Sequence, residues 1–536
     1  MRNMIRVGIA SAVVVGAFVL FASGGAGESH ATPATAARHT HRSFPAVFVA
    51  GSTREVCQLT GQTDFKTGKP TSSETETRYG LRVADAGYSF EFNGRVAYLF
   101  GDAVPTKTFN GMDNLANRYP TAPHESSVDN DAIAFAEPTS PGVCPSLQFV
   151  PQTAASGRAA NAYTNPQLLT TEGKEVDLET NEAPVAGITV GGKMYVVFKT
   201  DNKKAQETRK EKELERTSGS EAGATAQEGE ALQSVSTRSV MGELEGEKTL
   251  TFRDLYDFSR PSQPFLPGAK FVNVAIAAGI GADPYVYFWG TGPLENIHKE
   301  LSAKESPIYL ARMPASAIGT PGREGRPAQI EYLHGLGEGE SPNWVESEGE
   351  AVPLFHDVTL RKGTLEKSEC GHTLGVQWNE DVDLWVMLYN CGDSTTAHPA
   401  GIYMRSAPQP WGPWSPPQTI FNPKPNAKAK TGFCYFIYTP EKHVKCPRGS
   451  KKTDARLGET PSPGPSGSYY GPYFIAGWTT PHEEPSERFE GSTFYYTLDT
   501  FHPYGQVILQ STIKSARSPL PSPKAVKPGC KGTTCT

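Results

Sequence analysis

Residues 82–103, RVADAGYSFEFNGRVAYLFGDA, read as two strands joined at Asn93-Gly94. Asn-Gly is the dipeptide that a two-residue hairpin favours, because both central residues of its turn need positive φ. Two more strand-like runs follow, at residues 130–137 (NDAIAFAE) and 147–150 (LQFV), which makes a first group of four. The grouping recurs. A second group runs through 182–190 (EAPVAGITV), a turn at Gly191-Gly192, 193–200, and, after an interruption, 237–245 and 249–256. A third takes 271–280, 284–292, 307–314 and 330–336; a fourth takes 372–380, 384–392, 401–408 and 418–421. The last holds only 469–478, 494–501 and 506–513, and residues 56–59 near the other end of the chain are available as its missing strand. Gly, Pro and Asn turns punctuate the runs throughout. Five groups of four antiparallel strands predict an all-β fold, a five-bladed β-propeller whose ring is closed by the N-terminal segment. A pair of β-sandwiches is the rival arrangement, and it accounts less well for the regular grouping.

Composition agrees. The 536 residues include 53 Gly and 44 Pro, with 10% aromatic and 20% charged residues, the profile of a turn-rich β protein rather than a helical bundle. The net charge of -6 and the lack of a basic stripe argue against nucleic acid as a partner. Nothing calls for an oligomer, so a monomer is expected. Arg2 and Arg6 precede an apolar run at 7–22 and a small-residue stretch at 23–37, which reads as a secretory signal peptide and leader over residues 1–36. The run is short for a membrane span and no other segment is apolar enough to cross a bilayer. The expectation is a secreted or cell-envelope protein with no membrane span once the leader is cleaved. The propeller is expected over 46–514, with a charged, disordered insert at 201–236 and a polar loop at 447–468. A Pro- and Lys-rich tail follows at 515–536.

Eight cysteines in an exported chain read as disulfides. Spacing alone does not fix the connectivity. The pairs put forward are Cys57 with Cys144, Cys370 with Cys391, Cys434 with Cys446, and Cys530 with Cys535. A zinc site is the alternative, but no CxxC pair or His cluster supports it.

The blade pattern also places the acids. In a blade, the start of the first strand, the end of the second and the start of the third meet at one face of the channel, by hairpin geometry. Asp85 lies early in the first strand of blade one, Asp102 at the end of the second, and Asp129 and Asp131 at the start of the third; Glu182 opens blade two. Crowded carboxylates raise at least one pKa, and a raised acid beside an ionised base is what glycoside cleavage needs. Each acid also has a bland reading. Asp102 after a glycine could cap a turn, Asp129 reads as a turn residue, Asp131 could brace the blade through backbone contacts, and Glu182 before Ala-Pro could be a loop contact. Asp85 is the best candidate, since a carboxylate within an apolar inner strand is costly to bury. Asn273, His372, Gln377, Trp378, Asn379, Tyr469, Tyr470 and Tyr473 are candidates to bind a sugar through amide hydrogen bonds and ring stacking. Trp and Tyr also serve as ordinary propeller core. Arg82 and Arg405 could bind an acidic or hydroxylated ligand or pair with the acids. No GxSxG elbow, HExxH, P-loop or dinucleotide fingerprint is present, and no cofactor or catalytic metal is called for. A structural Ca²⁺ ion in the channel stays open, although DNDA at 129–132 lacks the Gly and distal Glu of an EF-hand loop.

The stretch YGLRVADAGYSFEFNGRVAYLFGDA resembles the domain of unknown function 4185 family, as do SVDNDAIAF, KFVNVA, YVYFWGTG, PIYLARMP, GVQWNEDVDLWVMLY, SAPQPWGPWS, YYGPYF and FHPYGQVIL. The resemblance runs over residues 79–513. It implies a secreted five-bladed propeller. Some members are endo-D-arabinanases that cut mycobacterial cell-wall arabinan and form glycoside hydrolase family 183. It further implies catalytic carboxylates at Asp85 and Asp102. The family usually reads Thr-Asp-Leu-Gly and Gly-Asp-Thr where this chain has Ala84-Asp85-Ala86-Gly87 and Gly101-Asp102-Ala103, so the acids persist while their small neighbours differ.

Two classes of function follow. A glycoside hydrolase acting on an arabinan-like envelope polysaccharide would use Asp85 as base or nucleophile, Asp102 as its acidic partner, and Glu182 or Asp131 as acid or modulator. A non-catalytic carbohydrate-binding propeller, or a surface adhesion or scaffold protein, would not need the paired acids.

Overall fold

The computed structural model describes residues 45–105, 130–151, 163–176, 178, 183–200, 238–260, 269–292, 307–356, 358–361, 364–367, 370–391, 401–423, 468–482, 489–501 and 505–516. The leader, the charged insert, nearly all of the polar loop and the tail beyond Ala516 lie outside them. No helix of the described residues is long and apolar enough to cross a membrane.

The chain forms five small antiparallel sheets arranged as a five-bladed β-propeller. Blade one runs Leu81–Phe92, Arg95–Pro105, Asn130–Ala136 and Gln148–Phe149, each paired with the next. Its hairpin turns at Asn93 (φ 50) and Gly94 (φ 75), the two positive angles that the Asn-Gly pair predicts. Blade two takes Ala183–Val190, Lys193–Thr200, Arg238–Gly246 and Thr251–Ser259, and adds Gln167–Leu169 and Glu175–Val176 at its outer edge. Blade three runs from Asn273–Ala278 outward to Pro342–Val345, and blade four from Cys370–Asn379 to Gln418–Phe421. Blade five begins with Ser468–Tyr470 and Phe474–His482, which both pair with Phe489–Phe501, and continues to Gly505–Ala516.

The ring closes as the sequence implies. Arg54–Gln58 pairs with Gly505–Ala516, matching Cys57 to Ile508 and Gln58 to Val507. The Cys57–Cys144 disulfide ties this closing strand to blade one, and Phe48 N donates to Gln418 Oε1 of blade four at 2.8 Å. The N-terminal segment, through Val47–Phe48 and Arg54–Gln58 together, therefore fastens to three blades. The Cys370–Cys391 disulfide spans residues directly opposite each other in blade four. Cys434, Cys446, Cys530 and Cys535 lie outside the described residues.

Aromatic side chains fill the seams between blades. Phe258 meets Phe288 at 4.7 Å between blades two and three, and Trp289 meets Trp385 at 5.3 Å between blades three and four. All four are buried, and each such ring contributes roughly 2–3 kcal/mol. The five inner strands face a central channel whose waist is filled. Tyr88 Oη donates to Ile276 O across from blade one to blade three at 2.8 Å, and the Phe90 ring closes on Gly187 so tightly that a Cβ there would fall 2.3 Å from it. The channel thus has two separate mouths.

Candidate active site

The acids of blade one gather at one mouth because the hairpin is deliberately irregular there. Asp85 pairs with Gly101, and the ladder slips on both sides of it, twice between Leu81 and Asp85 and once between Ala86 and Tyr88. On the next edge Phe100 pairs with Ala132 and Ala103 with Asn130, so Gly101 and Asp102 together face Asp131 alone. This is a β-bulge, which redirects a side chain that regular pairing would leave on the sheet surface. Asp102 carries φ 44 and Ala86 φ 68, conformations that non-glycine residues reach at a cost of about 1 kcal/mol each. Bulges and positive angles fall together where the carboxylates are.

The absence of a side chain at Gly101 lets Asp85, Asp131 and Ala183 close in over it. A Cβ on it would lie 3.4 Å from Asp85 Oδ1, 3.9 Å from Asp131 Oδ1 and 2.9 Å from the Cβ of Ala183. Asp85 and Asp131 thus approach one point from two strands, and both are buried, at 6% and 5% exposure. Tyr470 of blade five closes the group by donating its hydroxyl to Asp85 Oδ2. Desolvation pushes the Tyr470 phenol well above its ordinary value, and the charges of Asp85, Asp499 and Asp102 push the same way. The phenol stays protonated and remains a donor to the carboxylate. Tyr473, beside Tyr88 at 5.8 Å, is raised by burial and then by Asp499 and Asp85. These two rings floor the acidic mouth.

Asp85, Asp102, Asp131 and Tyr470 are therefore brought together. Asn273 opens the inner strand of blade three at the same end of the channel, buried, with its Nδ2 3.4 Å from Gly292 O. Arg82 precedes the acids in their own strand, half-buried. Glu182 and Asp129 lie outside the described residues, as does the side chain of His372; Ala183, next to Glu182, packs on Gly101.

Gln377, Trp378 and Asn379 are placed elsewhere. They end the inner strand of blade four and pair with Val386, Trp385 and Leu384, so they stand at the mouth away from Asp85. A ten-residue strand spans the whole channel, and residues at its end cannot share a mouth with residues at the start of its neighbours. Gln377 and Trp378 line a cavity of ≈ 580 Å³ there, with Glu91, Glu380 and Ile280. Asn379 instead donates to Ser492 Oγ at 2.9 Å within the wall. Arg405 is buried against the Phe355 ring and donates to Tyr389 Oη and Ser415 O, which makes it a blade-four brace. Tyr469 packs on Phe421.

Two residues of the site escape a sequence reading centred on blade one. Asp499 ends the second strand of blade five and Gln506 begins the third, the positions that Asp102 and Asp131 hold in blade one. Applying the strand rule to TLDTF and GQVIL would have found both.

Among solved structures, the fold is similar to an α-L-arabinofuranosidase from Podospora anserina crystallised with cellotriose. That match has 7% identity, a TM-score of 0.34 and coverage of 87% of this chain and 99% of the other. It is also similar to an endo-1,5-α-L-arabinanase from Thermotoga petrophila, at 9% identity and a TM-score of 0.33, over 81% of this chain and 72% of the other. No curated protein matches the sequence. The model of the family described as domain of unknown function (DUF4185) matches residues 71–510, most of the propeller and all of the acidic mouth, and the chain belongs to that family.

Proposed function

We propose that the acidic mouth cleaves glycosidic bonds and that the protein is a secreted glycoside hydrolase of envelope polysaccharide. The observation that carries this reading is the convergence of the buried Asp85 and Asp131 carboxylates over Gly101, with the Tyr470 hydroxyl donating to Asp85 Oδ2. Buried carboxylates aimed at one point are costly for folding and useful for chemistry. Asp85, held by a neutral phenol, acts as base or nucleophile. Asp102, turned out by its bulge, is the acidic partner, and Asp131 modulates the pair. Glu182 is a second candidate acid. An arabinan-type polysaccharide is the first substrate to offer, because the motif resemblance implies it.

The test is product release from arabinogalactan and a panel of other polysaccharides by wild type, Asp85→Asn and Asp102→Asn. Oligosaccharides from wild type that drop by about 10²–10⁴-fold in either variant would support the assignment. Polysaccharide binding with no products from any substrate would favour a carbohydrate-binding propeller.

A further inference from the structure

Asp499 is fully buried at the end of the second strand of blade five. Its Oδ1 accepts a hydrogen bond from Gln506 Nε2 at 2.6 Å, and the same nitrogen donates to Ala86 O at 2.6 Å. Ala86 directly follows Asp85 and, with Gly87 (φ 70), forms the kink that turns the strand after the acid. That kink is packed against the amide: a Cβ on Gly87 would fall 2.4 Å from the Gln506 side chain. On its other side Asp499 pairs with Tyr470 in the ladder. Its Oδ2 stands 1.7 Å from where a Cβ on Gly471 would sit, and Gly471 has φ 66, so only glycine fits beside it. This oxygen is buried and has no hydrogen-bond partner in the protein. One carboxyl thus touches both the segment that aims Asp85 and the segment that aims Tyr470.

From this juxtaposition we propose that Asp499 is a positioning residue that holds the Asp85 carboxylate against the Tyr470 hydroxyl, through Gln506 and Ala86 on one side and Gly471 on the other. Its importance for catalysis rests on the hydrolase reading; its effect on the Asp85–Tyr470 contact does not. Its surroundings favour the protonated form. Burial pushes its carboxyl well above the usual range and the Asp85 charge adds to this, against smaller opposing effects from Gln506 and the Ala86 backbone. Asp85, Tyr470 and Tyr473 are ionisable groups that face it from the segments packed against it. Asn at this position would keep the acceptor for Gln506 and place an N–H where the acid carries its proton.

The experiment compares crystal structures and hydrolysis kinetics of wild type, Asp499→Asn, Asp499→Ala and Gln506→Leu. The Asn variant is expected to keep the Asp85–Tyr470 contact and a kcat within about threefold of wild type. The Ala and Leu variants are expected to lose the contact and, with KM little changed, on the order of tenfold or more in kcat. If Asp499→Ala does not fold, Gln506→Leu decides. An intact contact in either disruptive variant, or an Asn variant that behaves like Ala, overturns the proposal. A wild-type protein inactive on every polysaccharide counts against the hydrolase reading, while the contact in the crystals still judges Asp499.

Discussion

Tyr470 donates its hydroxyl to Asp85 Oδ2 across the seam where blade five meets blade one, over a sequence separation of 385. The pair exists only because the ring closes, and ring closure depends on a strand near the N-terminus. The geometry of the acidic mouth therefore depends on the closure of the ring.

Removing that hydroxyl should weaken catalysis more than folding. A hydrogen bond to a charged group is worth roughly 1.5–3 kcal/mol, so Tyr470→Phe is expected to lower kcat by about tenfold or more. Its melting temperature should stay near that of wild type, because the ring remains in place. Steady-state kinetics beside a thermal melt checks this, and an unchanged kcat would separate the phenol from the reaction.

The two disulfides should fail differently. Cys57–Cys144 anchors the closing strand across 87 residues, and a Cys57→Ser/Cys144→Ser variant is expected to lose about 2–5 kcal/mol of stability. Cys370–Cys391 lies beside the acidic mouth: Thr373 Oγ1 accepts from Gly471 N at 2.9 Å, and Tyr469 Oη donates to Cys391 O. Replacing this pair with Ser should lower kcat by more than its loss of stability explains. Urea denaturation and kinetics on both variants separate the cases, and a common pattern in the two would refute the distinction.

What the sequence made legible was what depends on local pattern. Hairpins such as 82–103 announce themselves through Asn-Gly, four-strand grouping gives the blades, and the spare strand near 56–59 gives the closure. The acids of blade one were legible because hairpin geometry puts their stretch of chain at one mouth, while the bulge that sets their final placement was not. Asp499 and Gln506 were passed over because their role arises between blades, where Gln506 reaches Ala86 over a separation of 420 residues. Gln377 and Trp378 show the converse. Their residue types suit a sugar, but position along the strand decides the mouth, and they stand at its far end.

Glu55 of the closing strand should make stability depend on pH. Burial pushes its carboxyl up to about 7, against the attraction of Lys66 Nζ at 2.9 Å, with Asp64 adding to the rise. A folded-state acid that holds its proton more tightly than the unfolded chain loses stability as pH rises, here between the ordinary carboxyl value near 4.5 and about 7. The loss amounts to at most about 3 kcal/mol. Glu55→Gln removes it. Chemical denaturation from acidic to neutral pH should give a stability curve for the variant that falls less steeply than that of wild type. Parallel curves would show that Glu55 keeps an ordinary affinity for its proton.

Gly101→Ala puts the proposed site to a steric test. Gly101 does not need positive φ, so alanine brings no backbone strain. Its methyl group would press on the Ala183 Cβ at 2.9 Å, an overpacking that costs roughly 1–3 kcal/mol. It would leave Asp85 and Asp131 their charges and most of their contacts, but it would fill the space between their Oδ1 atoms at 3.4 and 3.9 Å. If the scissile bond sits there, the variant folds and loses activity by on the order of a hundredfold, as displacement of about 1 Å commonly produces. Circular dichroism establishes folding and product release measures the loss. A folded variant with wild-type activity would mean that the substrate reaches the acids from another side, and would move attention to Asp102.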